Sequence, residues 1–170
     1  SGLGSALTIT GSSGAETLIG GSGADTMAGG GGADSVQGGG GNDRITEAGA
    51  EGTVDGGAAT DTLVAGASSG ITSVNFSVAA GTDQTGGDTV AATNFEIFDG
   101  SALSAALTLT GSTGADTMTG GSGADTYSGG GGGDSLDGGG GNDAFTFTGS
   151  ESTLDGNTGT DTLTYSAMSG

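Results

Sequence analysis

The sequence predicts an all-β chain built from short strands alternating with glycine-rich turns. Three observations carry that prediction: a period of nine residues, one apolar residue at a fixed place in each period, and an acidic residue two places before it. In the frame that starts at Gly2 the period runs without a slip through Gly11, Gly20, Gly29, Gly38, Glu47 and Gly56, so seven nonapeptides fit in register. Residues 1–70 then align without gaps with 101–170 at an offset of 100. Gly38-Gly-Gly-Gly-Asn-Asp43, for example, returns as Gly138-Gly-Gly-Gly-Asn-Asp143. The chain is therefore a duplication, with a first repeat block over 1–64, a spacer over 65–101 and a second block over 102–170.

The eighth position of each nonapeptide holds Ile9, Leu18, Met27, Val36, Ile45, Val54 and Leu63, then Leu109, Met118, Tyr127, Leu136, Phe145, Leu154 and Leu163. A disordered linker has no reason to keep such a column. The sixth position holds Glu16, Asp25, Asp34, Asp43 and Asp61, and again Asp116, Asp125, Asp134, Asp143 and Asp161. Residues two apart on a strand share a face, so an acid two places from a buried residue belongs to a turn. Each unit thus reads as a six-residue turn and a three-residue strand such as Thr26-Met27-Ala28, with the middle side chain inward. Glycine in the turn supplies positive φ and lets backbones approach closely.

Composition narrows the function. The chain has 43 Gly, no Pro, Cys, Trp or His, only 31% hydrophobic and 4% aromatic residues, and a net charge of −19 from 20 acids against the single base Arg44. A large apolar core is excluded, and a folded chain of this charge repels itself unless cations are bound. Without lysine, and with one arginine, there is no basis for nucleic-acid binding or for a P-loop reading of the glycine runs. Lack of cysteine excludes disulfides and thiolate metal sites. No apolar run approaches the ~18 residues of a membrane span, and Ser1–Thr10 has neither the basic start nor the apolar core of a secretory signal. Without His, Cys or Lys as base or nucleophile, no catalytic residue is assigned.

The units Gly20-Gly-Ser-Gly-Ala-Asp-Thr-Met-Ala, Gly38-Gly-Gly-Gly-Asn-Asp-Arg-Ile-Thr and Gly120-Gly-Ser-Gly-Ala-Asp-Thr-Tyr-Ser resemble the RTX (repeats-in-toxin) nonapeptide, over about three-quarters of the chain. The resemblance implies a parallel β-roll (a β-solenoid) with two nonapeptides per turn and Ca2+ between turns eighteen residues apart. It implies a site formed by the carbonyls of Gly21 and Gly23 with the Asp25 carboxylate, and the carbonyls of Gly38 and Gly40 with Asp43. Six oxygens suit so hard a cation. By the same rule Glu16 pairs with Asp34, Asp43 with Asp61, Asp116 with Asp134, Asp125 with Asp143, and Asp143 with Asp161. The matching carbonyls belong to Gly29, Gly31, Gly121, Gly123, Gly129, Gly131, Gly138 and Gly140.

Gly52 and Ser152 interrupt the acid column, so the sites pairing Asp34 with the Glu47 turn and Asp134 with the Phe147 turn are expected to lack one carboxylate and to be weak or empty. Glu16 is a methylene longer than Asp, and the turn around Ala58 and Thr60 is poor in glycine. In the spacer, Ile71, Val74, Phe76 and Val78, then Val90, Phe95, Ile97 and Phe98, read as strands around a turn at Gly81–Asp88. Its length predicts two metal-free coils held by aromatic packing, with a looped-out linker as the alternative. Stacked carboxylates need a cation between them, so folding and Ca2+ binding are expected to be one process.

The functional expectation is a calcium-binding structural module of an extracellular or cell-surface assembly, such as an S-layer, filament or stalk, stacking on itself end to end or laterally. The family resemblance implies secretion of the type I kind, with a signal outside this segment. The alternatives are an RTX adhesin module whose Thr17, Thr26, Thr53 and Thr62 rank, repeated at Thr117, Thr126, Thr153 and Thr162, meets ice, glycan or another surface, and the roll of a larger secreted protein.

Overall fold

The computed structural model describes residues 4–148 and 151–166. Gly2, where the repeat frame starts, and the last residues of the aligned copy lie outside them. The first block contributes β1 (Thr8–Thr10), β2 (Thr17–Gly21), β3 (Thr26–Ala28), β4 (Ser35–Gly40), β5 (Arg44–Glu47), β6 (Thr53–Ala58) and β7 (Thr62–Ala65). The spacer contributes β8 (Ser73–Asn75), β9 (Thr85–Gly86), β10 (Ala91–Thr93) and β11 (Ile97–Asp99). The second block contributes β12 (Thr108–Thr110), β13 (Thr117–Thr119), β14 (Thr126–Ser128), β15 (Ser135–Asp137), β16 (Ala144–Phe147), β17 (Thr153–Asp155) and β18 (Thr162–Tyr165).

Successive strands of the repeats fall alternately on two faces, as a nine-residue half-turn requires. One face is an eight-stranded sheet in the order β1-β3-β5-β7-β11-β13-β15-β17. The opposite face holds β2-β4-β6-β10 and then β9-β8-β12-β14-β16-β18. Every pair within the repeats is parallel with an eighteen-residue register, for example Met27 beside Ile45 and Tyr127 beside Phe145. The chain is a parallel β-solenoid, a β-roll with two nonapeptides per coil in the repeat blocks.

The eighth-position residues stack between the faces. On the first sheet Ile9, Met27, Ile45, Leu63, Phe98, Met118, Leu136 and Leu154 form one ladder, and Ile45, Leu63, Phe98, Met118 and Leu136 have no exposure. Burying each such side chain contributes about 1.5–3 kcal/mol. The second copy adds aromatic stacking: the rings of Tyr127 and Phe145 lie 4.7 Å apart at 15°, and the buried Tyr127 hydroxyl donates to the Asp137 carbonyl at 2.7 Å.

The spacer departs from the two expected coils. Between Leu63 and Met118 the first sheet gains one strand, β11, through Phe98. On the other face the chain folds back, so that β9 runs antiparallel to β8 and β10 joins β6. The buried Gln84 side chain fastens the fold-back, donating to the Phe95 carbonyl at 2.9 Å and accepting from the Phe95 N–H at 2.8 Å. Local chemistry explains the difference. A nine-residue half-turn uses left-handed residues at its second and fourth positions, as at Gly39 (φ 107°) and Gly41 (φ 99°). The spacer's glycines with positive φ are Gly70, Gly81 and Gly87, spaced for a hairpin instead.

One coil plus a hairpin also makes the spacer an odd number of half-turns. Ile9 lies in the first sheet, whereas its counterpart Leu109 lies in the opposite one. The second copy is turned by half a coil relative to the first.

Candidate metal centres on the two rims

The turns form two rims. One rim carries the turns from the second face to the first, at 20–25, 38–43, 56–61, 94–96, 111–116 and 129–134, with 147–148 and 151–152 of the last turn. The other carries 11–16, 29–34, 47–52, 66–72, 100–107, 120–125, 138–143 and 156–161. Each sixth-position acid therefore sits above its equivalent eighteen residues away. The N–H of Asp25 donates to Asp43 Oδ1 at 2.8 Å and that of Asp43 to Asp61 Oδ1 at 2.8 Å. Glu16 donates to Asp34 Oδ1 at 2.8 Å, Asp116 to Asp134 at 3.0 Å, Asp125 to Asp143 at 2.8 Å and Asp143 to Asp161 at 3.0 Å. All six acid pairs expected from the sequence are brought together.

These bonds occupy one carboxylate oxygen and leave the other. Oδ2 of Asp25, Asp34, Asp43, Asp61, Asp134 and Asp143 is buried without a hydrogen-bond partner. Each of these residues is 1% exposed or less. Leaving an ionised oxygen so is costly, because a buried charge needs a partner. The other acids are partly served: Ser12 caps Glu16, Ser112 caps Asp116, and the Gly121 N–H reaches Asp125 Oδ2 at 3.0 Å. Burial pushes the carboxyls of Asp43, Asp116, Asp125, Asp134 and Asp143 above the usual range, and burial with its acidic neighbours takes Asp61 to about 6.

The backbone adds oxygens where the free carboxylate oxygens point. A Cβ on Gly20 would collide with Asp25 Oδ2 and the Gly38 carbonyl, and one on Gly38 with Asp43 Oδ2 and the Gly56 carbonyl. Gly11 (with the Gly29 carbonyl), Gly111 (Gly129), Gly120 (Gly138) and Gly138 (Gly156) repeat the arrangement. Each of these six first-position glycines thus faces a carboxylate oxygen of its own turn and a carbonyl from the next. The carbonyls of Gly21 and Gly23 face the turn above, against Gly39 and Gly41, and Gly123 packs on the Ala105 carbonyl. The third-position glycines lie on the crest: Gly31 and Gly140 donate back to the carbonyls of Ser12 and Gly121 at 2.9 and 2.8 Å, Gly40 pairs with Ala58, and Gly131 has φ 143°.

Among the described residues no three His, Cys, Asp or Glu side chains group to hold a metal ion alone. A cation at these rims has to combine one or two carboxylates with backbone carbonyls. That all-oxygen donor set fits a hard divalent ion.

Three acids complete the rims in ways the repeat frame did not show. Glu51 and Glu151, at the fifth position, fill the gaps left by Gly52 and Ser152. A Cβ on Gly29 would meet Asp34 Oδ2 at 2.5 Å and Glu51 Oε1 at 3.0 Å, and Gly129 faces Asp134 and Glu151 alike. The sites expected to lack a carboxylate therefore have one, because the extra methylene of Glu reaches where an Asp one place later would. Glu51 Oε2 meanwhile accepts from the N–H groups of Ala48, Gly49 and Ala50 at 3.0–3.1 Å. Glu96 carries the ladder through the spacer, accepting from the Asp61 N–H at 2.9 Å. Its signal was present in the sequence: it precedes Phe98 by two, as Asp61 precedes Leu63.

The family model of the RTX calcium-binding nonapeptide repeat, four copies of the unit long, matches residues 10–45 and, in two overlapping placements, 108–136 and 119–147. No curated protein matches the chain. The matched segments contain Asp25, Asp34 and Asp43, and Asp116, Asp125, Asp134 and Asp143, the acids whose carboxylates line the rims. The matched segments are RTX calcium-binding nonapeptide repeats, a kind of repeat that binds Ca2+, and they lie within the β-roll.

Proposed function

We propose that this roll is a structural module of a secreted, cell-surface or extracellular assembly, folded by Ca2+ at both rims and stacking on further copies of itself. The observation that carries the reading is the row of buried carboxylate oxygens without partners on each rim. A chain with a net charge of −19 and so narrow a core needs those charges neutralised to stay folded. Calcium at millimolar extracellular concentration supplies that, which also favours a location outside the cell.

Stacking is supported by the described end strands. β1 and β17 each have one unpaired edge in the first sheet, and Leu163 on β18 is 44% exposed although Leu109, Tyr127 and Phe145 of the same ladder are buried. A further coil, from the same or another chain, would cover Leu163 and pair the edge. Catalysis is assigned no residues, since the buried acids face one another and the backbone, and the chain lacks His, Cys and Lys. The threonine rank is the feature behind the adhesin alternative. On the first sheet it is crossed by the Arg44–Asp99 ion pair at 2.8 Å, which breaks the flat hydroxyl surface that ordered water would need.

The test is calcium titration of chelated protein, followed by circular dichroism, light scattering and electron microscopy. Strand formation with growth of regular filaments or sheets is expected. A monomer that folds on Ca2+ but never associates would refute the assembly role and leave the calcium-binding module.

A further inference from the structure

We propose that the junction between the first block and the spacer holds a divalent cation of its own, bound by Glu47 and Asp88 outside the repeat's acid column. The inference rests on the calcium-roll reading. In an ordinary turn one sixth-position acid serves the pockets on both sides. The 47–52 turn has Gly52 there, and Glu51 Oε1 is turned toward Asp34 and Gly29, on the side of the preceding turn. The side facing the spacer would then have no carboxylate, except that Glu47 stands at the first position, where the other described turns of the block have glycine.

A first-position Cβ points into the inter-turn pocket, which is why one on Gly20 or Gly38 would strike a carboxylate oxygen. Glu47 sends a whole side chain there. It lies two residues after Ile45 on β5, on the same inward face, and has no exposure; both its carboxylate oxygens are buried without a hydrogen-bond partner. Above it, the Gly66 N–H donates to the Glu47 carbonyl at 2.7 Å, and a Cβ on Gly49 would meet the Ser68 carbonyl at 2.5 Å. Gly70 in turn packs near Asp88, whose Oδ2 is also buried and unpartnered. Among the charges near the Glu47 carboxyl, Asp88 weighs more than Glu51.

A proton on Glu47 does not resolve this arrangement, since its O–H would have no acceptor. A hard cation between Glu47 and Asp88 satisfies both residues, with backbone carbonyls or water in the remaining positions. The second copy supplies an internal contrast. Its first-position residue is Phe147, which packs edge-on against Tyr165 at 5.3 Å, so the equivalent place is closed by aromatic contact and not by a metal.

The test counts ions on the full chain with Ca2+ as the only added metal, by native mass spectrometry and equilibrium dialysis. E47Q and D88N are each expected to bind one ion fewer than the parent, and the double variant also one fewer, because the residues share a site. Unchanged counts in both variants, or a double variant that loses two, would overturn the proposal. If E47Q fails to fold, D88N at its partly exposed position decides by itself. A parent that binds no Ca2+ refutes the calcium-roll reading as a whole, whereas a calcium-loaded parent with unchanged variants refutes this site alone.

Discussion

Asp43 is the residue whose replacement separates the metal argument from ordinary packing. It stands in the middle one of the first block's three turns on its rim, so its carboxylate borders the pockets toward both Asp25 and Asp61. Oδ1 holds the Asp25 N–H at 2.8 Å, while Oδ2 has no partner and faces Gly38. D43N keeps the acceptor and turns the second oxygen into an N–H donor, at the same volume. With Ca2+ bound, this resembles removing one partner from a buried ion pair, at a cost of about 3–5 kcal/mol. At about 1.4 kcal/mol per tenfold, the overall constant for calcium-coupled folding should fall roughly 10²- to 4 × 10³-fold, and the calcium midpoint should rise by the nth root of that factor for n ions taken up together. D43A also abandons the Asp25 N–H, adding about 1.5–3 kcal/mol for a bond to a charged group. In chelator the order reverses, because D43N removes a charge that burial disfavours. Calcium titrations of the three proteins by circular dichroism read both arms. A D43N midpoint equal to the parent's would show that Oδ2 is not a ligand, and the rims would need another explanation.

Other outcomes follow from the same geometry. Asp61 at about 6 and Glu47 at about 8 hold protons more tightly folded than their ordinary 3.8 and 4.5. The calcium-free roll is therefore most stable in acid and loses that stability as pH rises from about 4 to about 8, by about 3 kcal/mol for Asp61 alone at about 1.4 kcal/mol per unit. Circular dichroism in chelator should gain strand signal toward pH 4, and a spectrum equally unfolded at pH 4 and pH 8 would contradict it. Ala59 has φ 97° at a turn position where the second copy has Gly159. A59G should stabilise the calcium-loaded roll by about 0.5–1 kcal/mol, the left-handed strain relieved less the entropy of glycine, as a higher thermal midpoint. E51Q should weaken the pocket beside Asp34 and leave the opposite rim intact, which ion counts on E51Q and D43N together would show as independent losses.

The fold was legible where one residue type repeats for one physical reason. The apolar column fixed which side chains point inward, and the acid column located the turns, because strand and turn alternate inside nine residues and no distant contact can shift that register. Glu51 and Glu151 were not legible, since a carboxylate one position early reaches the pocket only through an extra methylene, which spacing alone does not reveal. The course of the spacer was not legible for a different reason. Val74 and Val90 do read as strands, but whether β8 pairs forward in parallel or folds back on β9 is decided by Gln84 clasping Phe95 and by where its glycines can turn. Those are non-local choices.

The fold-back has a consequence for the whole molecule. Two full coils in the spacer would have kept the copies in phase, with 47–52 and 147–152 on one rim and the regular turns 20–25, 38–43, 120–125 and 138–143 together on the other. A single coil with a hairpin places 47–52 and the described residues of the Phe147 turn, 147–148 and 151–152, on opposite rims. Each rim then combines regular Asp turns from one block with the substituted turn of the other, so bound charge is divided between both sides of the rod. The half-turn offset is thus set by the spacer, the part of the chain with the fewest repeat residues, and it puts both a substituted turn and regular Asp turns on each side of the roll.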